Sequence, residues 1–485
     1  MDARTEARHI PLCVDLDGTL ITTDTLWEAV VVLVFRNPLI VFRLFAWALA
    51  GKARLKHEVA ARYVIEADSW PYHGPLIDWL RGEKAAGRRL VLATGAAGST
   101  ASAIAAHLDL FDEVLHSDRE RNLTSRRKRD LLVERFGLSG FDYVGNSRDD
   151  LAVFEAAREV TVVSPDRAAA HWQQAHGARL LESAPRRGIR TVFKAIRVHQ
   201  WLKNVLIFVP LVLNQEYASL GTALAALVAF FAFSFAASAV YVLNDLTDLK
   251  NDRKHKTKRK RPLASGALSI PHGVMIGCGL ALASLALALT LPWEFLGVLI
   301  VYAIVTTTYS FVLKRKLLVD VFTLASLYTL RIVAGAMATG TVFSFWLLAF
   351  SIFFFLSLAL VKRYVELDEL VKAEGESIGS KGVGRGYYTI DFEMVGQAGI
   401  ASAFSAALVL ALYVHSEEVS LMYGTPWLLW PLCPLILYML LRIWMLARRA
   451  QMHDDPVVFI MRDWRSQLVM GFGAALVVTA SMLTL

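Results

Sequence analysis

Two aspartates, Asp15 and Asp17, stand two residues apart in DLDGTL, followed directly by Gly18. At the end of a short apolar run such a pair presents one carboxylate as a nucleophile and the other as an acid and base. The glycine supplies the tight turn from strand to loop. Thr94 in LATG, Lys128 among Arg126, Arg127 and Arg129, and Asn146 and Asp150 in GNSRDD follow down the chain. A second constellation lies in YVLNDLTDLKNDRKHKTKRKRPLASG, where Asn244, Asp248 and Asp252 recur every four residues and Asp245 lies three before Asp248. A continuing helix would set all four along one face. Carboxylates at the end of a long apolar run are costly unless they act. Magnesium uses one or two protein carboxylates together with substrate phosphates, so this cluster suits a diphosphate carried on Mg²⁺. From Lys250 to Arg261 there are eight basic residues and one acid, a density that suits anionic headgroups and phosphorylated substrates alike.

The elements that must position these groups belong to two different solvents. The chain has 485 residues, 55% hydrophobic and only 19% charged, with a net charge of +8 and a mean hydropathy of +0.44, which excludes a purely soluble globular protein. Residues 9–16, 88–95 and 141–150 each read as a buried strand feeding a polar loop, with helical stretches between, so the first part is predicted as a parallel α/β sheet. Polar tips at strand ends are where such sheets bind ligands. Residues 26–50 are apolar but interrupted by Arg36, Pro38 and Arg43, and they read as a helical cap in touch with the membrane surface, not as a span. Cys13, Cys278 and Cys433 are too few for a disulfide framework and read as buried apolar fillers. No cleaved secretory signal is visible before the first strand.

After a basic linker with Arg186, Arg187, Arg190, Lys194 and Arg197 come nine apolar stretches, at about 202–218, 221–243, 271–291, 293–313, 317–339, 341–362, 395–414, 425–446 and 466–484. Alternate loops are basic: Lys250 to Arg261, Lys314 to Lys316, Lys362 to Arg385 and Arg448 to Arg465. The loops between hold Glu216, Glu294, or Glu417 and Glu418. The positive-inside rule then predicts a multi-pass protein of a bacterial-type cytoplasmic membrane, with the N-terminal domain and the acidic cluster cytoplasmic and the C-terminus outside. The predicted fold class is a Rossmann-like α/β domain over 1–183 with a helical cap at about 22–80, a linker at 184–199, and an all-α membrane domain of nine transmembrane helices over 200–485.

The ordered set DLDGTL, LATG, Lys128 and GNSRDD resembles the haloacid dehalogenase superfamily of aspartate-based phosphatases. The resemblance implies Asp15 as nucleophile and Asp17 as acid and base, with Thr94 and Lys128 on the phosphoryl oxygens. Magnesium would sit on Asp15, Asp17, Asn146 and Asp150. Asn146 departs from the family's GDSxxD loop, where the first of two aspartates stands; it offers an oxygen but no charge.

The stretch NDxxDxxxD in a positive-inside helical protein resembles the UbiA-type membrane prenyltransferase superfamily. A second pair of aspartates is lacking, and Asp320 stands alone after YSFVLK. With RVHQWLKNVL (197–206), NDLTDLKNDRKHKTKRKRPLASG (244–266), YSFVLKRKLLVD (309–320), LRIVAGA (330–336), KRYVEL (362–367) and DDPVVFIMRD (454–463), the chain is similar to the branch of decaprenyl-phosphate phosphoribosyltransferases. That likeness implies transfer of 5-phosphoribose from phosphoribosyl diphosphate to a polyprenyl phosphate lipid. Asn244, Asp245, Asp248, Asp252 and Asp320 would serve magnesium and the diphosphate. Lys203, Asn204, Arg253, Lys256, Arg259, Arg261, Tyr309, Lys314, Lys362 and Arg363 would serve the substrates, with Glu366 beside the last two. The partners expected are the lipid, the sugar donor and the membrane, with no nucleic acid. Two other readings stay open: an aromatic or quinone-pathway prenyltransferase, and a lipid transporter with a regulatory phosphatase-like domain.

Overall fold

Parallel strands, the central ones buried along their whole length, build the first part of the chain. The computed structural model describes residues 10–63, 66–182, 188–213, 219–341, 344–374, 386–452 and 455–482. Arg186 and Arg187 of the linker, Glu216, Arg385 and the C-terminal Leu485 lie outside the described residues. The chain divides into two units, Met1–Ile196 with Tyr241–Gly277, and Arg197–Val240 with Cys278–Leu485.

The first unit carries six parallel strands: β1 (Leu12–Val14), β2 (Leu90–Ala97), β3 (Glu113–Ser117), β4 (Asp142–Gly145), β5 (Val160–Val163) and β6 (Arg179–Glu182). Their order in the sheet is β3-β2-β1-β4-β5-β6. Every position of β1, β2, β4 and β5 is buried, as expected of a parallel sheet covered on both faces. The period of two sorts the side chains. Leu12, Val14, Leu90, Leu92 and Val144 pack with Leu76, Leu80 and Ile104, whereas Cys13, Val91, Tyr143 and Val162 pack with Leu132 and Ala169 on the other face. Cys13 and Cys433 are buried as predicted, but Cys278 is exposed, because its helix turns that side outward. The strand order reverses at β1, so the carboxyl ends of β1, β2 and β4 open a crevice between them. Asp15 and Asn146 directly follow β1 and β4. Thr94 lies two residues beyond Leu92, the partner of Val14.

Between β1 and β2 the chain inserts α1 (Thr25–Arg36), α2 (Ile40–Leu49) and α3 (Lys52–Ala60). The Asp24 carboxylate caps α1 by accepting from the Leu26 and Trp27 amides at 2.9 and 3.1 Å, a cap of the kind that stabilises a helix by about 1 kcal/mol. Asn37 ends it in an extended conformation, which the following Pro38 favours sterically. Residues 26–50 thus form two helices of 12 and 10 residues, neither long enough to cross a bilayer.

The second unit is helical. Among the described residues seven helices are long and apolar enough to cross a membrane: Leu220–Thr247, Ile270–Ala288, Trp293–Phe311, Val319–Thr339, Phe345–Lys372, Thr389–Val414 and Pro426–Arg448. Ile189–Ala195 with Val198–Leu213 makes an eighth if that broken pair is one span. Of the predicted nine, seven or eight are thus found among the described residues. The first stretch begins inside the second half of that pair, which winds as a 3-10 helix over Val198–Phe208. The last, Trp464–Met482, opens on Arg465 and Gln467, and its predicted stretch runs on past the described residues. Leu358, Val361, Ala403, Leu440, Ile443 and Trp444 form the core where four of these helices meet. The chain passes to the first unit at Tyr241 and returns at Cys278.

Candidate active sites

At the carboxyl end of β1 the Asp15 Oδ1 accepts from Lys128 Nζ at 2.7 Å, and Oδ2 from Thr19 Oγ1 at 3.3 Å. Helix Arg126–Phe136 turns Lys128 inward and leaves Arg126 and Arg127 exposed, so helical periodicity selects one cation from four. Lys128 also reaches Asp150 Oδ1 at 3.3 Å and the Tyr143 hydroxyl at 2.9 Å. Burial alone would lower the Lys128 pKa, but Asp15 and Asp150 outweigh it and raise it, so the ammonium keeps its charge. Burial lifts Asp15 to about 6 against the pull of Lys128. Asp17, whose Oδ1 accepts from the Thr25 amide at 2.8 Å, is lifted to about 7 by burial and then by Asp24. The two carboxyls thus stand in different surroundings, Asp15 on the Lys128 ammonium and Asp17 on a backbone amide.

Gly18 has φ +78°, and a Cβ there would meet Asn146 Nδ2 at 2.4 Å. That close approach lets Asn146 Nδ2 donate to the Gly18 carbonyl at 3.0 Å. Asn146 Oδ1 is buried with no protein partner, so an oxygen remains for a cation. Asp150, predicted as a metal ligand, is held by its own loop and by Tyr143. Its Oδ2 accepts from the Asn146 and Ser147 amides at 3.1 and 3.2 Å, and its Oδ1 from Tyr143 at 2.8 Å. No three His, Cys, Asp or Glu side chains group together among the described residues. Asp15 and Asn146 therefore fit magnesium that completes its shell with water and phosphate oxygens. The Thr94 hydroxyl is buried and accepts from the Ala96 amide at 2.9 Å. Lys56 on α3 reaches the Gly95 carbonyl at 2.6 Å and lines a small cavity with Asp17 and Asp24. Sequence reasoning missed this cation, since nothing local separates it from the other basic residues of the cap.

In the acidic stretch the helix Leu220–Thr247 breaks at Asp248 and resumes as Leu249–Lys254, so the predicted continuous helix is corrected. The four-residue spacing survives the break: the Asp248 amide donates to Asn244 O at 2.9 Å and the Asp252 amide to Asp248 O at 2.8 Å. Asn244 and Asp248 are half-buried. Asp245 and Asp252 are buried, and both carboxylates meet one nitrogen, Arg261 Nη1, at 3.1 and 2.6 Å. Two carboxylates already converging on a single cation fit a divalent ion that shares them with phosphate oxygens. Arg253 is held by the Glu28 carboxylate on α1, with Nη1 at 2.9 Å from Oε2. Lys254 pairs with Asp68 at 3.3 Å and Lys250 with Glu66. Of the predicted phosphate-binding cations in this stretch, Lys256 and Arg259 are exposed, while Arg253 has a carboxylate partner that no local spacing announces.

A third cluster lies in the second unit. Lys203 and Asn204 are buried on the 3-10 helix, which approaches Val319–Thr339 so closely that a Cβ on Gly335 would meet Ile207 O at 2.0 Å. Asp455 gathers Lys203 at 2.7 Å, Lys362 at 3.5 Å and the Tyr328 hydroxyl at 2.9 Å. Burial would raise the Asp455 pKa, but Lys203 and Lys362 hold it well below the usual carboxylate range. Arg331 donates to Asn204 Oδ1 at 2.8 Å, and Asn204 to Ser234 at 2.9 Å. Asp320, predicted at the metal, pairs with Arg363 at 2.7 Å and accepts from Tyr387 at 2.6 Å. Arg363 also pairs with Glu366. Tyr309 and Lys314 are half-buried at and just beyond the end of Trp293–Phe311.

The profile of the UbiA prenyltransferase family matches residues 205–466, more than half of the chain. The chain belongs to that family. It is an integral membrane protein, and its membrane part is similar to decaprenyl-phosphate phosphoribosyltransferases. The example from Mycobacterium tuberculosis is 37% identical over 193 residues, which span 39% of this chain and 63% of that one. The uncharacterized protein y4nM of Sinorhizobium fredii is 37% identical over 467 residues, 95% of this chain and 89% of that one. The nodulation protein NoeC of Azorhizobium caulinodans is 32% identical over 286 residues, 59% of this chain and 91% of that one.

Within this UbiA chain, Tyr328, Arg331 and Asp455 are candidate site residues that sequence reasoning did not single out, although LRIVAGA and DDPVVFIMRD contain two of them. Replacing Asp455 with alanine leaves Lys203 and Lys362 without their shared carboxylate. Breaking a buried pair in this way costs about 3–5 kcal/mol, so Asp455→Ala should lower the thermal unfolding midpoint in detergent. An unchanged midpoint would show that the two lysines are solvated.

Proposed function

We propose that the chain transfers 5-phosphoribose from phosphoribosyl diphosphate to polyprenyl phosphate, and that residues 1 to about 183, as a phosphatase of the haloacid dehalogenase type, then remove the 5-phosphate. The observation that carries the first step is the convergence of Asp245 and Asp252 on Arg261, in a chain similar over its membrane part to decaprenyl-phosphate phosphoribosyltransferases. An oxygen of the lipid phosphate attacks the sugar C1 as the bond from C1 to the diphosphate breaks and pyrophosphate leaves. Asn244, Asp245, Asp248 and Asp252 would hold magnesium beside the donor's diphosphate, and the bound ion would neutralise charge on the leaving group.

The second step rests on Asp15, Lys128 and Asp150. Asp15 attacks the phosphorus of the 5-phosphate, Asp17 gives its proton to the departing ribose oxygen, and Lys128 stabilises the phosphoryl charge. Asp17, now ionised, takes a proton from the water that hydrolyses the aspartyl phosphate. Magnesium held by Asp15 and Asn146 supplies charge neutralisation when bound. The two steps share one chain, so each lipid product meets the second site at high effective concentration. The proposed topology keeps both sites cytoplasmic.

The reaction is tested by incubating membranes with labelled phosphoribosyl diphosphate and polyprenyl phosphate. Label should enter the lipid phase. Label that stays in water, together with prenyl transfer from a prenyl diphosphate to an aromatic acceptor, would overturn the donor and favour the quinone-pathway reading.

A further inference from the structure

Helix α2 presents an apolar face that nothing in its own domain covers. Its inner side is anchored: Ile40 is buried with Ala29, Leu33 and Val59, and Leu44 and Trp47 pack partly against them. Its outer side shows Leu39 at 71%, Phe42 at 76%, Phe45 at 68% and Leu49 at 75% of full exposure. Spacings of three and four residues align these side chains in one stripe, and contiguous apolar patches of this kind on a soluble surface mark an interaction site. At ten residues the helix is about 15 Å long, half of what a span requires. The charge around it is one-sided. From Ala29 to His57 the chain has no acidic residue, and Arg36, Arg43, Lys52 and Arg54 are all exposed.

We infer that α2 lies in the surface of an anionic bilayer, with Leu39, Phe42, Phe45 and Leu49 among the acyl chains and Arg36, Arg43, Lys52 and Arg54 on lipid phosphates. Apolar side chains on one face with cations around them are the composition of an in-plane membrane helix. The occupant is a bilayer and not a second copy, because a two-fold contact would bring this patch against itself and set its arginines against arginines with no acid between them. The chain's own spans tie the domain to a membrane, so binding needs little intrinsic affinity. This surface goes beyond the proposed phosphatase reaction, but its consequence bears on it. Lys56 stands on the next helix, beside the cavity that Asp17 lines, so the cap would set that cavity at the level where a lipid-linked phosphate emerges from the headgroups.

The test uses the full-length protein in vesicles of phosphatidylcholine and phosphatidylglycerol carrying a quencher on the lipid. Phe45→Cys in a Cys278→Ser background takes an environment-sensitive fluorophore, and Gln174→Cys on helix Arg167–His176 serves as the control. The label at 45 should emit to the blue of the control and be quenched by the lipid. Adding Phe42→Glu with Leu49→Glu should abolish both effects, and quenching should fall in vesicles of phosphatidylcholine alone. Leu49→Cys, labelled in the same way, repeats the measurement should Phe45→Cys fail to fold. Equal quenching at 45 and 174 overturns the inference. So does a label at 45 that is shielded from lipid and self-quenches with protein density, which would mean that a second copy covers the stripe.

Discussion

An Asp15→Asn variant should transfer label from phosphoribosyl diphosphate to the lipid at the wild-type rate yet accumulate the product that still bears its 5-phosphate. Phosphate release should fall on the order of 10³-fold or more, the scale of losing a catalytic nucleophile. The amide keeps an oxygen able to accept from Lys128 Nζ, which lies 2.7 Å from the native carboxylate, so the geometry around Lys128, Tyr143 and Asp150 survives while the nucleophile does not. Chromatography of the extracted lipid separates the two products. Should the wild type also yield only phosphorylated lipid, the phosphatase reading fails. Asn146 would then be the first residue to change, to aspartate, since it brings an oxygen without the charge that the family's loop carries there.

Asp252→Asn should cut label transfer on the order of 10²–10³-fold, the effect of removing one preorganised group that stabilises the departing charge, with the protein still folded in the membrane. Asp245→Asn should match it, because both carboxylates meet Arg261 Nη1. Asp248→Asn should do less, since Asp248 is half-buried at the helix break. Chelating divalent ions should reproduce the Asp252 result in the wild type, because the donor's charge is then uncompensated. A wild-type transfer rate in Asp252→Asn, measured on protein that elutes as a single folded species, would remove this cluster from the reaction.

Local pattern carried much of the architecture. The short runs VLATG and FDYVG, buried without a break, the turn at Gly18, the break at Asn37 and Pro38, and the long apolar runs are all decided by neighbours a few residues apart. The choice of Lys128 over Arg126, Arg127 and Arg129 is legible in the same way, because only one of four consecutive helical residues faces the sheet. The count of spans was less legible. Hydrophobicity reports what can enter a bilayer, not whether the chain winds continuously, and the stretch from 202 breaks into a 3-10 turn that packs against Gly335.

What the sequence by itself determined is thus most of the candidate site residues, though not Lys56, Tyr328, Arg331 or Asp455, and the elements that bear them. Tertiary structure alone decided how their charges are shared: Asp150 holds Lys128 and its own loop, Arg253 is neutralised by Glu28, Asp320 by Arg363, and Asp455 joins Lys203 to Lys362 across some 250 positions of sequence. The reason is electrostatic. A buried charge takes whichever opposite charge the packing of distant segments brings within reach, and the cost of leaving it unpaired far exceeds any preference that adjacent residues express.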